Sequence, residues 1–84
     1  MMNNDTTTDL LSRITFDGHV LTGKPTIRGM RIAVDMILEL LAKGATPEEI
    51  LEDYPQLEPE DIRAALLYAH RLVAGEEVFH RMAA

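Results

Sequence analysis

Lys24, Arg28 and Arg31 stand at intervals of four and three residues, in a stretch (residues 18–34) that contains no carboxylate. Cationic groups gathered this closely suit an anionic ligand, either phosphate or the acidic surface of a partner. Gly23 and Gly29 lie among them and let backbone amides approach such a ligand. The same residues also admit a purely structural role. The glycines then set turn geometry, and the cations pair with Asp35 and Glu39 of the segment that follows. A mixture is expected, with Arg31 structural and Lys24 and Arg28 facing outward.

A second group lies further on. At 100° per residue, Arg63, Leu67, His70 and Arg71 share a face opposite Ile62, Leu66 and Ala69. On a recognition helix, Arg63 and Arg71 would take phosphates or guanine edges in the major groove. Glu60 and Asp61 at the start of that helix suit its dipole better than they suit DNA. An exposed Leu67 would favour protein contact instead. For catalysis the residues offer little. The acid pairs Glu48-Glu49, Glu52-Asp53 and Glu60-Asp61 fall in first turns or on exposed helix faces. His19, His70 and His80 are isolated, without metal-ligand spacing. No catalytic, metal, cofactor or small-molecule site is expected.

The elements that position these groups follow from composition and period. With 84 residues and no cysteine, the chain makes one small domain, marginal in stability without a staple or a partner. A homo-oligomer is therefore expected. No apolar run is long enough to span a bilayer, and the first residues lack the pattern of a signal peptide, so a cytoplasmic location without membrane contact is expected. The net charge of −6 is unevenly spread. Residues 18–34 carry only bases, whereas residues 35–84 hold eleven acids against four bases. Any binding of DNA must therefore use a local basic patch.

Residues 1–9 are polar and expected to be disordered, and the domain proper spans 10–74. A β unit is expected over 13–33. Within it, Arg13 to Phe16 reads as a strand, Asp17-Gly18 as a hairpin turn and His19 to Leu21 as the return strand. Arg28-Gly29-Met30 reads as a second turn between short strands, anchored by Ile27 and Ile32. Val34, Ile37, Leu38 and Leu41 then take helical spacing, predicting a helix over about 34–43 that Gly44 stops. Thr46-Pro47-Glu48-Glu49 is a capping box opening a helix over 47–53. Glu58-Pro59 opens a third helix over 59–74, with Leu57 and Ile62 at hydrophobic-staple positions and Gly75 as its stop. Residues 75–84 form a C-terminal tail, either a helical extension or a partner-binding segment.

The block Gly23-Lys24-Pro25-x-Ile27-Arg28-Gly29-x-Arg31-Ile32 resembles the signature of the DUF433 family of small prokaryotic proteins. Gly44-Ala45-Thr46-Pro47-Glu48-Glu49-Ile50 and Tyr54-Pro55-x-Leu57 extend the resemblance, which covers about residues 14–73. Departures are mild: Met30 replaces a small hydroxyl residue, Ala33 a proline, and Glu58 a Thr or Ser cap. The resemblance implies a mainly α fold, a homeodomain-like three-helix (helix-turn-helix) bundle preceded by a short N-terminal β unit. It also implies a type II antitoxin that neutralises a PIN-like ribonuclease toxin, with operator DNA as a further ligand. In that role Glu76, Glu77, Val78 and Phe79 are the expected toxin-binding element. Two alternatives stay open, a DNA-binding regulator without a toxin and a dimerisation or adaptor module without DNA.

Overall fold

The fold is described from a computed structural model, covering the backbone of residues 9–83 and the side chains of residues 9–75. Ile14 and Thr15 form a short strand, β1 (Ile14–Thr15), which pairs antiparallel with β2 (Thr26–Ile27). The register sets Ile14 against Ile27 and Thr15 against Thr26. β1 therefore does not pair with residues 19–21, as the Asp17-Gly18 hairpin would require. Leu21, Thr22 and Gly23 all have positive φ, of 49°, 53° and 84°, and form a tight turn instead of a return strand. Three consecutive left-handed residues cannot lie in a ladder. Asp17 shapes the loop start, its carboxylate accepting the His19 backbone N–H at 2.9 Å.

The second turn falls where the sequence places it. The Met30 N–H donates to the Ile27 carbonyl at 2.8 Å, and the Ile27 N–H to that of Ile32 at 3.1 Å. Arg28 and Gly29 adopt left-handed φ of 46° and 73° to make this reversal. The strand expected after it shrinks to a single bridge between Thr26 and Ala33. Ile27 and Ile32 are both buried.

Residues 9–11 are helical, and after the ribbon come three further helices: α1 (Val34–Ala42), α2 (Pro47–Asp53) and α3 (Pro59–Ala83). α1 ends on Gly44, at φ 102°. The Ala45 N–H reaches back to the Leu40 carbonyl and the Gly44 N–H to that of Leu41, both at 3.0 Å, which satisfies two terminal carbonyls. In α2 the capping box is complete: the Thr46 hydroxyl accepts the Glu49 N–H at 3.1 Å, and Glu49 accepts the Thr46 N–H at 2.9 Å. Leu57 and Ile62 flank the start of α3 and are buried in the common core with Ile14, Ile27, Val34, Ile37 and Ile50. Tyr68 of α3 meets Phe16 with ring centroids 6.0 Å apart.

α3 differs from the expectation in length. Gly75 does not stop it, and the helix continues to Ala83. Glycine costs about 1 kcal/mol in a helix interior but ends the helix only when the chain turns left-handed there, and Gly75 keeps a negative φ. The buried face also differs from the expected stripe of Ile62, Leu66 and Ala69. Ile62, Ala64 and Ala65 are buried, whereas Leu66, Leu72 and Val73 are about half exposed.

Candidate functional site

The register of the two strands brings two cations together. One step past the Ile14–Ile27 pair, the Arg28 N–H donates to the Arg13 carbonyl at 2.8 Å. Arg13 and Arg28 thus sit opposite each other at the ribbon's end, where like charges would repel. Both converge on Asp61, in the first turn of α3. Arg13 Nη1 donates to Asp61 Oδ1 at 2.9 Å and to Glu58 Oε1 at 2.8 Å. Arg28 binds Asp61 with two donors, Nε to Oδ1 at 3.1 Å and Nη2 to Oδ2 at 2.8 Å. Its Nη2 also reaches the Gln56 carbonyl at 3.0 Å.

The Asp61 side chain is 0% exposed. Its Oδ2 accepts one further bond, from the Glu58 backbone N–H at 2.8 Å, closing the first turn of α3 where Glu58 is a poor cap. With four bonds each carboxylate lone pair has a donor, so Asp61 keeps no acceptor free for proton transfer or a metal. Burial alone would push this carboxyl up. The bonds from Arg28, the Glu58 N–H and Arg13 outweigh burial and hold it below its ordinary value. The Arg28 guanidinium is correspondingly shifted up, chiefly by its hydrogen bond to Asp61. Arg13 is shifted up first by Glu58 and then by Asp61.

These positions bear on three expectations. Arg28 is exposed, as expected, but its guanidinium is tied to the bundle through Asp61. Asp61, expected on an exposed first turn, is the most enclosed charge among the described residues. Arg31, expected to be structural, is exposed and has no ion pair among the described residues. Lys24 is exposed but rests on Asp35 at 3.2 Å, and Glu39 pairs with Lys43 at 3.0 Å rather than with Arg31. The three cations of residues 18–34 therefore have three different settings, Lys24 on Asp35, Arg28 on Asp61 and Arg31 without an ion pair among the described residues. Periodicity could not find Asp61, because its role depends on a strand register set across ten intervening residues. The GKPxIRG block was nevertheless a signal, since Arg28 needs the left-handed turn that Gly29 completes.

On α3, Arg63, His70 and Arg71 are exposed, as expected for that face. Leu67 is not; it is half buried against the core. Leu66, Leu72 and Val73 form the exposed apolar surface instead, beside a groove of about 440 Å³ lined by Val34, Leu38, Tyr68, Ala69, Leu72 and Val73. The side chains of Glu76, Glu77, Val78 and Phe79 lie outside the described residues. No helix among the described residues is long and apolar enough to cross a membrane.

Fold and site together define a helix-turn-helix bundle whose β ribbon is locked to the last helix by a buried carboxylate. The family model for a protein of unknown function, DUF433, matches residues 14–69, and the chain belongs to that family. A crystal structure of a DUF433 member from Anabaena variabilis superposes with a TM-score of 0.70 at 28% identity, over 96% of this chain and 78% of that one. An uncharacterized protein of Sinorhizobium fredii, y4eO, is 38% identical over 56 residues, which make up 67% of this chain. The match spans only 25% of that protein's length. Both relatives share the domain; neither carries a stated activity.

Proposed function

We propose that this protein is a stoichiometric protein-binding module, an antitoxin that occludes a PIN-like ribonuclease toxin. The observation carrying this reading is the reach of α3. Residues 70–75 are all exposed, yet the helix runs on to Ala83. A helix that leaves its own core has few tertiary contacts to stabilise it, and packing against a partner would supply them. Its sequence beyond Gly75 opens with Glu76 and Glu77 and continues with Val78 and Phe79. Carboxylates with apolar neighbours suit the cationic RNA groove of a nuclease. Co-expression with the product of the adjacent gene tests the reading. The full chain should co-purify with the toxin and suppress its ribonuclease activity, while a chain ending at residue 75 should stay folded and lose both. Unchanged binding by the shortened chain would refute this assignment.

A second reading, repression at an operator, is favoured by one specific observation. From Ile62 to Gly75, α3 carries Arg63, His70 and Arg71 and no acid. A salt-dependent mobility shift that disappears in Arg63→Glu/Arg71→Glu would support it. Arg28 is unsuitable for that test, because its removal would disturb the Asp61 cluster.

A further inference from the structure

The groove between α1 and α3 is apolar, open, and continuous with the exposed side chains of α3. Pro25, Val34 and Leu38, with the Lys24–Asp35 ion pair, form one wall, and Tyr68, Ala69, Leu72 and Val73 the other. Leu66, Leu72 and Val73 are exposed by 48%, 50% and 59%, although each is large and apolar. Positions 62, 66, 69 and 73 follow a four-three-four spacing, that of the seam between paired helices. Ile62 lies in the domain's own core, but the seam then runs out of the core in the same register. Leu66 and Val73 are left in water.

A helix partner fits such a seam, and the charges on α3 select its direction. Exposed charge over residues 62–75 is entirely basic, from Arg63 and Arg71. Parallel pairing of two such helices would set Arg63 beside Arg63 and Arg71 beside Arg71. An antiparallel pair centred on Ala69 avoids this. It brings Leu66 of one helix level with Leu72 of the other, and position 63 level with position 75, next to the glutamate at 76 in sequence. The small side chain of Ala69 on the axis permits close approach. The patch is then self-complementary, and a two-fold arrangement closes it.

We infer that a second copy of this chain lays its α3 antiparallel along this one, crossing at Ala69 and covering the groove. Each copy thereby supplies both the apolar helix and the groove that receives it. Toxin binding is not required, so a chain that dimerises yet ignores the toxin refutes only the antitoxin reading.

Sedimentation equilibrium of the full chain, with circular dichroism, tests the interface. The wild type should be a dimer. Leu72→Glu should retain the helical signal but weaken dimerisation at least about a hundredfold, as loss of a central apolar anchor does. Under mild oxidation Ala69→Cys should form a disulfide-linked dimer. Arg63→Cys should not, since the antiparallel register holds two copies of position 63 about 18 Å apart along the axis. A wild type that stays monomeric at every concentration overturns the inference, leaving the groove to residues 1–8 or to another protein. So does a dimer indifferent to Leu72→Glu, or one in which Arg63→Cys links and Ala69→Cys does not.

Discussion

The two ends of α3 reverse the usual placement of residue types. At its first turn a charged carboxylate is fully enclosed, while about three turns on, Leu72 and Val73 are half in water. The difference lies in what the rest of the chain brings to each end. The β ribbon delivers two guanidiniums and α3 its own Glu58 N–H, so Asp61 exchanges water for four hydrogen bonds. Among the described residues nothing comparable covers the far end, where residues 70–75 are all exposed. Charge buried at one end specifies how the ribbon docks, and apolar surface exposed at the other is available to a partner. Identity of a residue alone predicts neither.

The largest effect should follow from breaking the enclosed end. Asp61→Ala leaves two opposed arginines and an uncapped first turn, and should cost about 2–4 kcal/mol in urea unfolding, as loss of one partner from a buried cluster does. The pH dependence has a definite sign. Because the native carboxyl is held below its ordinary 3.8, its contribution is complete above that value and is lost as pH falls through the native value. The stability gap between wild type and Asp61→Asn should therefore narrow only on the acid side. A gap constant across pH would mean that shape, not charge, holds the ribbon.

Smaller effects refine the contrast. Gly29→Ala forces a side chain into φ 73°, although nothing lies within 4 Å of the added atom. It should cost about 1 kcal/mol from backbone strain alone, with the Arg28–Asp61 contact preserved. Arg31→Ala should change stability by less than about 0.5 kcal/mol, as exposed substitutions do, whereas Arg28→Ala should lower the urea midpoint clearly. Equal effects from the two would remove the distinction drawn between them. At the open end, Val73→Ala should leave the monomer almost unchanged, but should reduce any dependence of Tm on protein concentration.

Much of the helical frame was legible from local rules. Thr46 with Glu49, Gly44 after Lys43, and the Leu57/Ile62 staple each act within a few residues, where spacing determines geometry. The ribbon was harder. Asp17-Gly18 is a strong local turn signal, yet β1 passes over residues 19–21 to pair with Thr26 and Ile27, because Leu21 to Gly23 turn left-handed. Gly75 is a related case: a glycine permits a stop but does not impose one, and the segment after it takes the helical-extension alternative. At the site, the conspicuous triad Lys24, Arg28 and Arg31 was visible, but its members do three different things. Arg13, an unremarked base outside the triad, does the same work as Arg28.

What the sequence determined by itself is the set of elements written in contiguous residues: the turn at Arg28-Gly29, the capped start of α2, and the apolar period of α1. It also determined the family, because the GKPxIRGxRI block is a local string. Only the tertiary structure decided which charges meet. Arg13, Arg28 and Asp61 are brought together by a strand register and a helix docking angle, and neither has a signature in spacing. Nor could periodicity decide which side of α3 is dry. A helical stripe states which residues share a face, but burial depends on where the other helices end. In this chain α1 supplies only one wall of the groove beside Leu72 and Val73, and both stay about half exposed.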